Sequence, residues 1–327
     1  MIKIYGITKD PKSEDYMLVM QYASEGDLHN YLQKEFTNIV WNDGKLNILR
    51  QISEGLANMH DVEFVHRDLH SGNILFDNSF YSSNRTTYRT IRRHQWKIGD
   101  LGLSQPANDT SSNNEIYGVI PYIAPEIFKG SSFSKESDVY SMGMIMWELT
   151  TGCKPFADVD HDHNLIFKIL DGVRPKITED TPECYADLMK SCWDPDPQKR
   201  PSITEIRETF YEWCFRNKNI EQFNQAEIKR NELMDSKKLG PKFTEKTFSK
   251  AIYTSRPLSF FISKCSTISL STLIPFGKKQ DYISTELEFD IDIERTLNVL
   301  PTSLRKRNFE ELNIGTHDNC GKHIRTS

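Results

Sequence analysis

The chain lacks any run of about 18 apolar residues, and Met142 to Leu149 is short and interrupted by Glu148, so no membrane-spanning helix and no membrane partner are expected. No apolar signal segment precedes the patterned region. Charge of one sign is not in excess either: the net charge is -5, and the basic face of a general nucleic-acid binder is not expected. Cysteine is sparse. Cys153, Cys184, Cys192, Cys214, Cys265 and Cys320 are scattered without metal-ligand spacing, which predicts neither a zinc site nor a disulfide framework and points to a reducing cytoplasmic or nuclear setting. With 327 residues, one large or two small domains can bury a core.

The most specific stretch runs from Val65 to Leu75, V-H-R-D-L-H-S-G-N-I-L, with Asp68 and Asn73 five residues apart behind Arg67. Phosphoryl transfer needs a carboxylate to accept a hydroxyl proton and a neutral oxygen to hold a metal without adding charge. Asp68 and Asn73 are residues of those types. Asp100, in Lys97-Ile98-Gly99-Asp100-Leu101-Gly102, offers a second hard oxygen donor suited to Mg²⁺. Ala124-Pro125-Glu126 and Lys199-Arg200-Pro201 follow in order. Four motifs in sequence with such gaps constrain the reading far more than any one tripeptide.

Secondary structure follows the hydrophobic pattern. Met17 to Met20 reads as a short strand, Ala23 to Asp27 as a turn, and Leu28 to Gln33 as a short helix. Leu46, Leu49, Ile52, Leu56 and Met59 recur at helical spacing, which predicts a helix over Lys45 to His60. Further helices are expected at Ser137 to Leu149, Asn164 to Leu170, Tyr185 to Cys192 and Ile203 to Phe215. The fold class is therefore mostly α with a little β. After residue 219, Ser, Thr, Lys and Asn replace periodic patterning, so 219–327 reads as a largely disordered tail with a short helix near Ile220 to Asp235. Within it, acidic Glu286, Glu288, Asp290, Asp292 and Glu294 alternate with apolar residues. Two readings of 286–294 stay open: a solvated tail, or a docking strand that adds to a partner's sheet edge.

From Ile2 to about Phe215 the chain resembles the eukaryotic protein kinases, with its nearest flavour in the tyrosine-kinase-like serine/threonine branch and in expanded fungal kinase-like families. The resemblance implies an α+β fold: residues 1–23 form part of the small β lobe and the hinge, and 24–218 the helical large lobe. It implies ATP and Mg²⁺ as cofactors, a protein substrate and a role in intracellular signalling. Carried over residue by residue, Asp68 is the proton acceptor, with Arg67 and Asn73 completing the catalytic loop, and Asn73 and Asp100 are the metal ligands. Met20 falls at the gatekeeper position. Gln21, Tyr22 and Ala23 form the hinge that binds adenine, with Leu75 beneath the ring. His66 is implied to pack structurally between Leu101 and Ile4, and Asp138 to accept backbone N–H groups of the catalytic loop. Glu126 and Arg200 are implied to form a buried ion pair. Arg67 marks the class whose activation segment is ordered by a phosphate, with Thr110, Ser111, Ser112 and Tyr117 as acceptor candidates.

The sequence departs from the family pattern in three places. No G-x-G-x-x-G occurs anywhere in it, and no V-A-x-K strand or paired glutamate precedes Met1-Ile2-Lys3-Ile4-Tyr5-Gly6. Lys3, Lys9 and Lys12 do not replace that lysine, so residues 1–327 are expected to bind ATP weakly and to show no measurable transfer by themselves. His70 and Val119 stand where serine/threonine kinases carry Lys and Thr, and Gly72 where tyrosine kinases can carry Arg, so the acceptor class, Ser/Thr or Tyr, stays open. The connection from Leu75 to Lys97 is long and carries Arg85, Arg89, Arg92, Arg93 and His94; a solvated insertion and an anion- or partner-binding loop are both compatible with it.

Overall fold

The structure is a computed structural model that describes residues 1–77, 96–107, 115–240 and 250–263. The chain divides into two compact units, one of Met1–Gly6 with Val19–Pro275 and one of Ile7–Leu18 with Phe276–Ser327. Of the second unit, 7–18 is described. Its turn is closed by Asp10, whose carbonyl accepts from the Glu14 N–H at 3.0 Å and whose N–H donates to Asp15 O at 2.8 Å.

Strands β1 (Ile4–Lys9) and β2 (Tyr16–Met20) form a two-stranded sheet. Ile4 is 48% exposed, and both strands are exposed along nearly their whole length, which corrects the expectation that Ile4 packs in the interior with His66. Asp27 caps α1 (Leu28–Glu35) by accepting from the Asn30 N–H.

The core of the large lobe is α4 (Lys135–Thr151), which follows α2 (Leu46–Asp61) and the one-turn α3 (Pro125–Phe128). Helix α4 is buried from Ser137 to Thr151, as a helix apolar on all sides must be. Reciprocal Ser134–Ser137 hydrogen bonds start it. Gly152 ends it at φ 71°, where an added Cβ would stand 2.6 Å from the Phe36 ring, so glycine serves both the left-handed backbone and the close approach. The expected apolar stripe of α2 is buried and packs on α7 (Ile203–Phe215), while α5 (His163–Leu170) and α6 (Glu183–Cys192) complete the lobe. Arg200 grips Glu126 through two bonds of 2.7 Å and also donates to Asp194 O and Glu136 O. That pairing satisfies a guanidinium otherwise costly to bury. Among the described residues, no helix is long and apolar enough to cross a membrane.

Beyond residue 218 two segments fold onto the lobe, the first of them the short helix expected near Ile220 to Asp235. Helix α8 (Ile220–Asp235) buries Phe223, Ala226 and Arg230, with Phe223 edge-on against Trp213 at 5.3 Å and Arg230 donating to Thr37 O. The apolar positions are few but fall on one helical face, which is enough to dock the helix. Beside it Lys45 is fully buried over the Trp41 ring at 4.4 Å, and burial pulls its ammonium down to about 8. The second segment is 250–263, whose strand β8 (Arg256–Pro257) pairs antiparallel with β7 (Tyr117–Gly118). The readings made on 78–95, on Thr110, Ser111 and Ser112, and on 286–294 lie outside the described residues.

Candidate active site

Two short antiparallel pairs build the site. Strand β3 (Phe64–Val65) pairs with β6 (Gln105–Pro106), and β4 (Ile74–Phe76) with β5 (Trp96–Ile98) in the register Ile74↔Ile98 and Leu75↔Lys97. Asn73 immediately precedes β4, and Asp100 closely follows β5. Antiparallel pairing therefore brings both to one end of the hairpin, where Gly99 N–H donates to Asn73 O at 2.8 Å. An added Cβ at Gly99 would stand 2.7 Å from Leu75 Cδ1, so Leu75 packs directly over that backbone.

Asp138, 1% exposed in α4, holds the loop that carries Asp68. Its carboxylate accepts from the His66 N–H at 2.8 Å and the Arg67 N–H at 3.0 Å, and meets His60 Nε2 at 2.9 Å. Those bonds hold Arg67 at φ 71°, a left-handed conformation that costs a non-glycine residue about 1–3 kcal/mol. His66 is fully buried with Nε2 on Gly99 O at 3.1 Å, which ties the loop to the segment bearing Asp100. The Arg67 guanidinium lies over the Phe133 ring at 4.8 Å.

Asp68 is 7% exposed. Burial pushes its carboxyl up, but His70, Ser255 and His66 together hold it below the usual carboxylate range, so it is ionised at neutral pH. The His70 tautomer follows from its bonds. Nδ1 accepts from the Gly72 N–H at 3.1 Å, so the neutral ring carries its proton on Nε2, which lies 3.8 Å from Asp68 Oδ1. An added Cβ at Gly72 would stand 2.9 Å from His70 Cε1. In the sequence this residue registers only as a missing lysine; the structure makes it a donor facing Asp68.

Asn73 donates from Nδ2 to Asp68 O at 2.8 Å, so its side-chain oxygen is not the atom that bond uses. Asp100, at φ 52°, is exposed. Two hard oxygen donors fit Mg²⁺, which fills most of its shell with phosphate and water oxygens rather than with protein. No group of three His, Cys, Asp or Glu among the described residues could hold a metal ion.

The hinge is more open. Met20 and Tyr22 are 43% and 77% exposed, and Gln21 N–H donates to Lys3 O at 2.7 Å. Gln21, Asp77 and Lys97 join their side chains, with Lys97 Nζ 2.6 Å from Asp77 and 2.8 Å from Gln21. Past Ala23 the chain is fastened to β4 by Glu25 N–H to Phe76 O and Phe76 N–H to Gly26 O. The structure thus gathers Asp68, Asn73, Leu75 and Asp100 tightly, and leaves the expected adenine side of Met20 to Ala23 largely open.

Comparison with known proteins bears on this geometry. The profile of the family described as protein tyrosine and serine/threonine kinase matches residues 1–210. A probable serine/threonine-protein kinase of Dictyostelium discoideum is 31% identical over 219 residues, covering 63% of this chain and 11% of that protein. Mitogen-activated protein kinase kinase kinase 7 of Drosophila melanogaster is 28% identical over 215 residues, covering 65% of this chain and 29% of its own length. A dual specificity protein kinase of Dictyostelium discoideum is 30% identical over 210 residues, of which the chain spans 9% of the length. The chain thus spans less than a third of each of these three.

Proposed function

Because the chain belongs to the protein tyrosine and serine/threonine kinase family, we propose that its site transfers the γ-phosphoryl group of ATP to a hydroxyl of a protein substrate. The observation that carries this reading is the β4–β5 hairpin, whose register sets Asn73 and Asp100 at one end, beside the buried and ionised Asp68. Bound Mg²⁺ would supply charge neutralisation between the phosphates. Asn73 and Asp100 would hold that metal through their oxygens. Asp68 would orient the acceptor hydroxyl and take its proton, with His70 Nε2–H fixing the carboxylate. Leu75 and the backbone of Gln21 to Ala23 would seat the adenine. A reducing intracellular setting suits Cys153 and Cys192, whose thiols are pushed up by burial to about 11 and about 12.

A second reading, a non-catalytic lobe that binds partners, is favoured by one observation: Met20 and Tyr22, on the expected adenine side, are 43% and 77% exposed. One radiolabel transfer assay separates the two. Residues 1–327 alone are expected to show no measurable transfer. The same chain joined to an upstream small lobe bearing the glycine loop and its lysine is expected to label protein substrate in a Mg²⁺-dependent way. A joined protein that binds ATP yet labels nothing would rule for the scaffold.

A further inference from the structure

Residues 250–263 do more than cover the large lobe, for they lie along the activation-segment strand directly beside Asp68. The register pairs Tyr117 with Pro257 and Gly118 with Arg256, and Leu258 N–H continues the ladder to Ile116 O at 2.8 Å. Gly118 is itself at the catalytic carboxylate, because a Cβ added there would stand 3.6 Å from Asp68 Oδ1. Ser255, one residue before that rung, is therefore carried to Asp68. Its Oγ is buried without a hydrogen-bond partner of ordinary geometry, although the hydroxyl already helps to stabilise the Asp68 carboxylate. A buried hydroxyl of this kind is costly to leave unpaired.

The flanking contacts are those of a peptide read along its length. Ile252 O meets His161 Nδ1 at 2.9 Å, and Tyr253 OH donates to Pro155 O at 2.9 Å. The Tyr253 ring packs edge-on against His161 at 4.6 Å. After Ser255, Arg256 donates to His161 O at 2.6 Å, and Leu258 is fully buried. Backbone pairing with alternate side chains in pockets is how a sheet edge selects an extended peptide.

We propose that the trough along β7 is the site for an extended protein substrate, that residues 252–258 fill it in cis, and that Ser255 occupies the place of the acceptor hydroxyl. The inference rests on the reading of Asp68 as the group that faces that hydroxyl. It defines the substrate class as a serine with an arginine directly after it and an aliphatic residue three positions on. It also makes the chain's own segment a competitor of any other protein substrate.

The test needs no nucleotide and so stands apart from the transfer assay. A fluorescent synthetic peptide of residues 250–263 is titrated into residues 1–327 and into the same chain with Leu258→Asp, which ejects the segment's anchor. Leu258→Ala serves if the charged variant does not fold. The opened chain is expected to bind the peptide at least about tenfold more tightly than the wild type, whose site is filled. A peptide with Ser255→Asp is expected to bind the opened chain at least about tenfold more weakly, since like charges would meet at Asp68, and to regain affinity when the chain also carries Asp68→Asn. Equal binding to wild type and opened chain, or no binding to either, overturns the proposal. Equal binding of the serine and aspartate peptides overturns the placement of Ser255. Peptide binding to residues 1–327 together with no transfer by the chain joined to a complete small lobe would count against the enzyme reading and not against the site.

Discussion

Asp68→Asn is expected to lower phosphoryl transfer by about 10²–10⁴-fold in the chain joined to a complete small lobe, with the melting temperature close to wild type. The substitution keeps the shape of the side chain and removes its capacity to take a proton. Folding should tolerate it, because the bonds that fix the loop end on Asp138 and on the Asp68 backbone carbonyl rather than on its carboxylate. The carboxyl lies below its usual range, despite the upward push of burial, because His70 and Ser255 stabilise the ionised form. A base held this low is a weak proton acceptor in the ground state, so much of its work is to orient the hydroxyl until the proton becomes acidic late in transfer. Initial rates with radiolabelled ATP measure the effect. Equal rates for mutant and wild type would remove Asp68 from the chemistry.

Asp138→Ala is expected to cost about 3–5 kcal/mol of stability, the scale for breaking a buried charged network by removing one partner. The buried N–H of His66, the part-buried N–H of Arg67 and the ring of His60 lose their acceptor together, and each buried unsatisfied donor costs about 1–3 kcal/mol. The loop also loses what holds Arg67 at φ 71°. Urea unfolding of residues 1–327 gives the number, and a loss under about 1 kcal/mol would show that other contacts hold the loop. The pair of variants separates two aspartates on adjoining elements: one is expected to affect rate without stability, the other stability first.

The large lobe was readable because its signals are redundant. The stripe Leu46, Leu49, Ile52, Leu56 and Met59 repeats at helical spacing and is buried in α2, and the helix expected over Ile203 to Phe215 occupies those residues. Asp138 and the Glu126–Arg200 pair stand in the roles the motifs implied. What sequence did not convey depends on tertiary placement. The helix at Ile220 to Asp235 was legible, but its docking was not: it buries Phe223, Ala226 and Arg230, too few positions to mark a packed face in a polar stretch. The segment at Tyr253 to Leu258 has no periodicity of its own, because its partner strand lies more than a hundred residues upstream at Tyr117–Gly118. Ile4 fits the family pattern by position, yet burial depends on neighbours that a position does not reveal. His70 registered as an absent lysine, and only the bond from the Gly72 N–H to its Nδ1 discloses which nitrogen faces Asp68.

The central claim, that Asn73 and Asp100 hold a nucleotide-bound divalent metal beside Asp68, is tested most directly by paramagnetic broadening. Mn²⁺, which accepts the same oxygen donors as Mg²⁺, is titrated with ATP into isotopically labelled residues 1–327 while backbone amide signals are recorded. The account predicts broadening centred on Asp68, Asn73 and the stretch Gly99 to Gly102, dependent on ATP and lost in Asp100→Ala. Broadening that spares these residues, or that persists unchanged in Asp100→Ala, would contradict it.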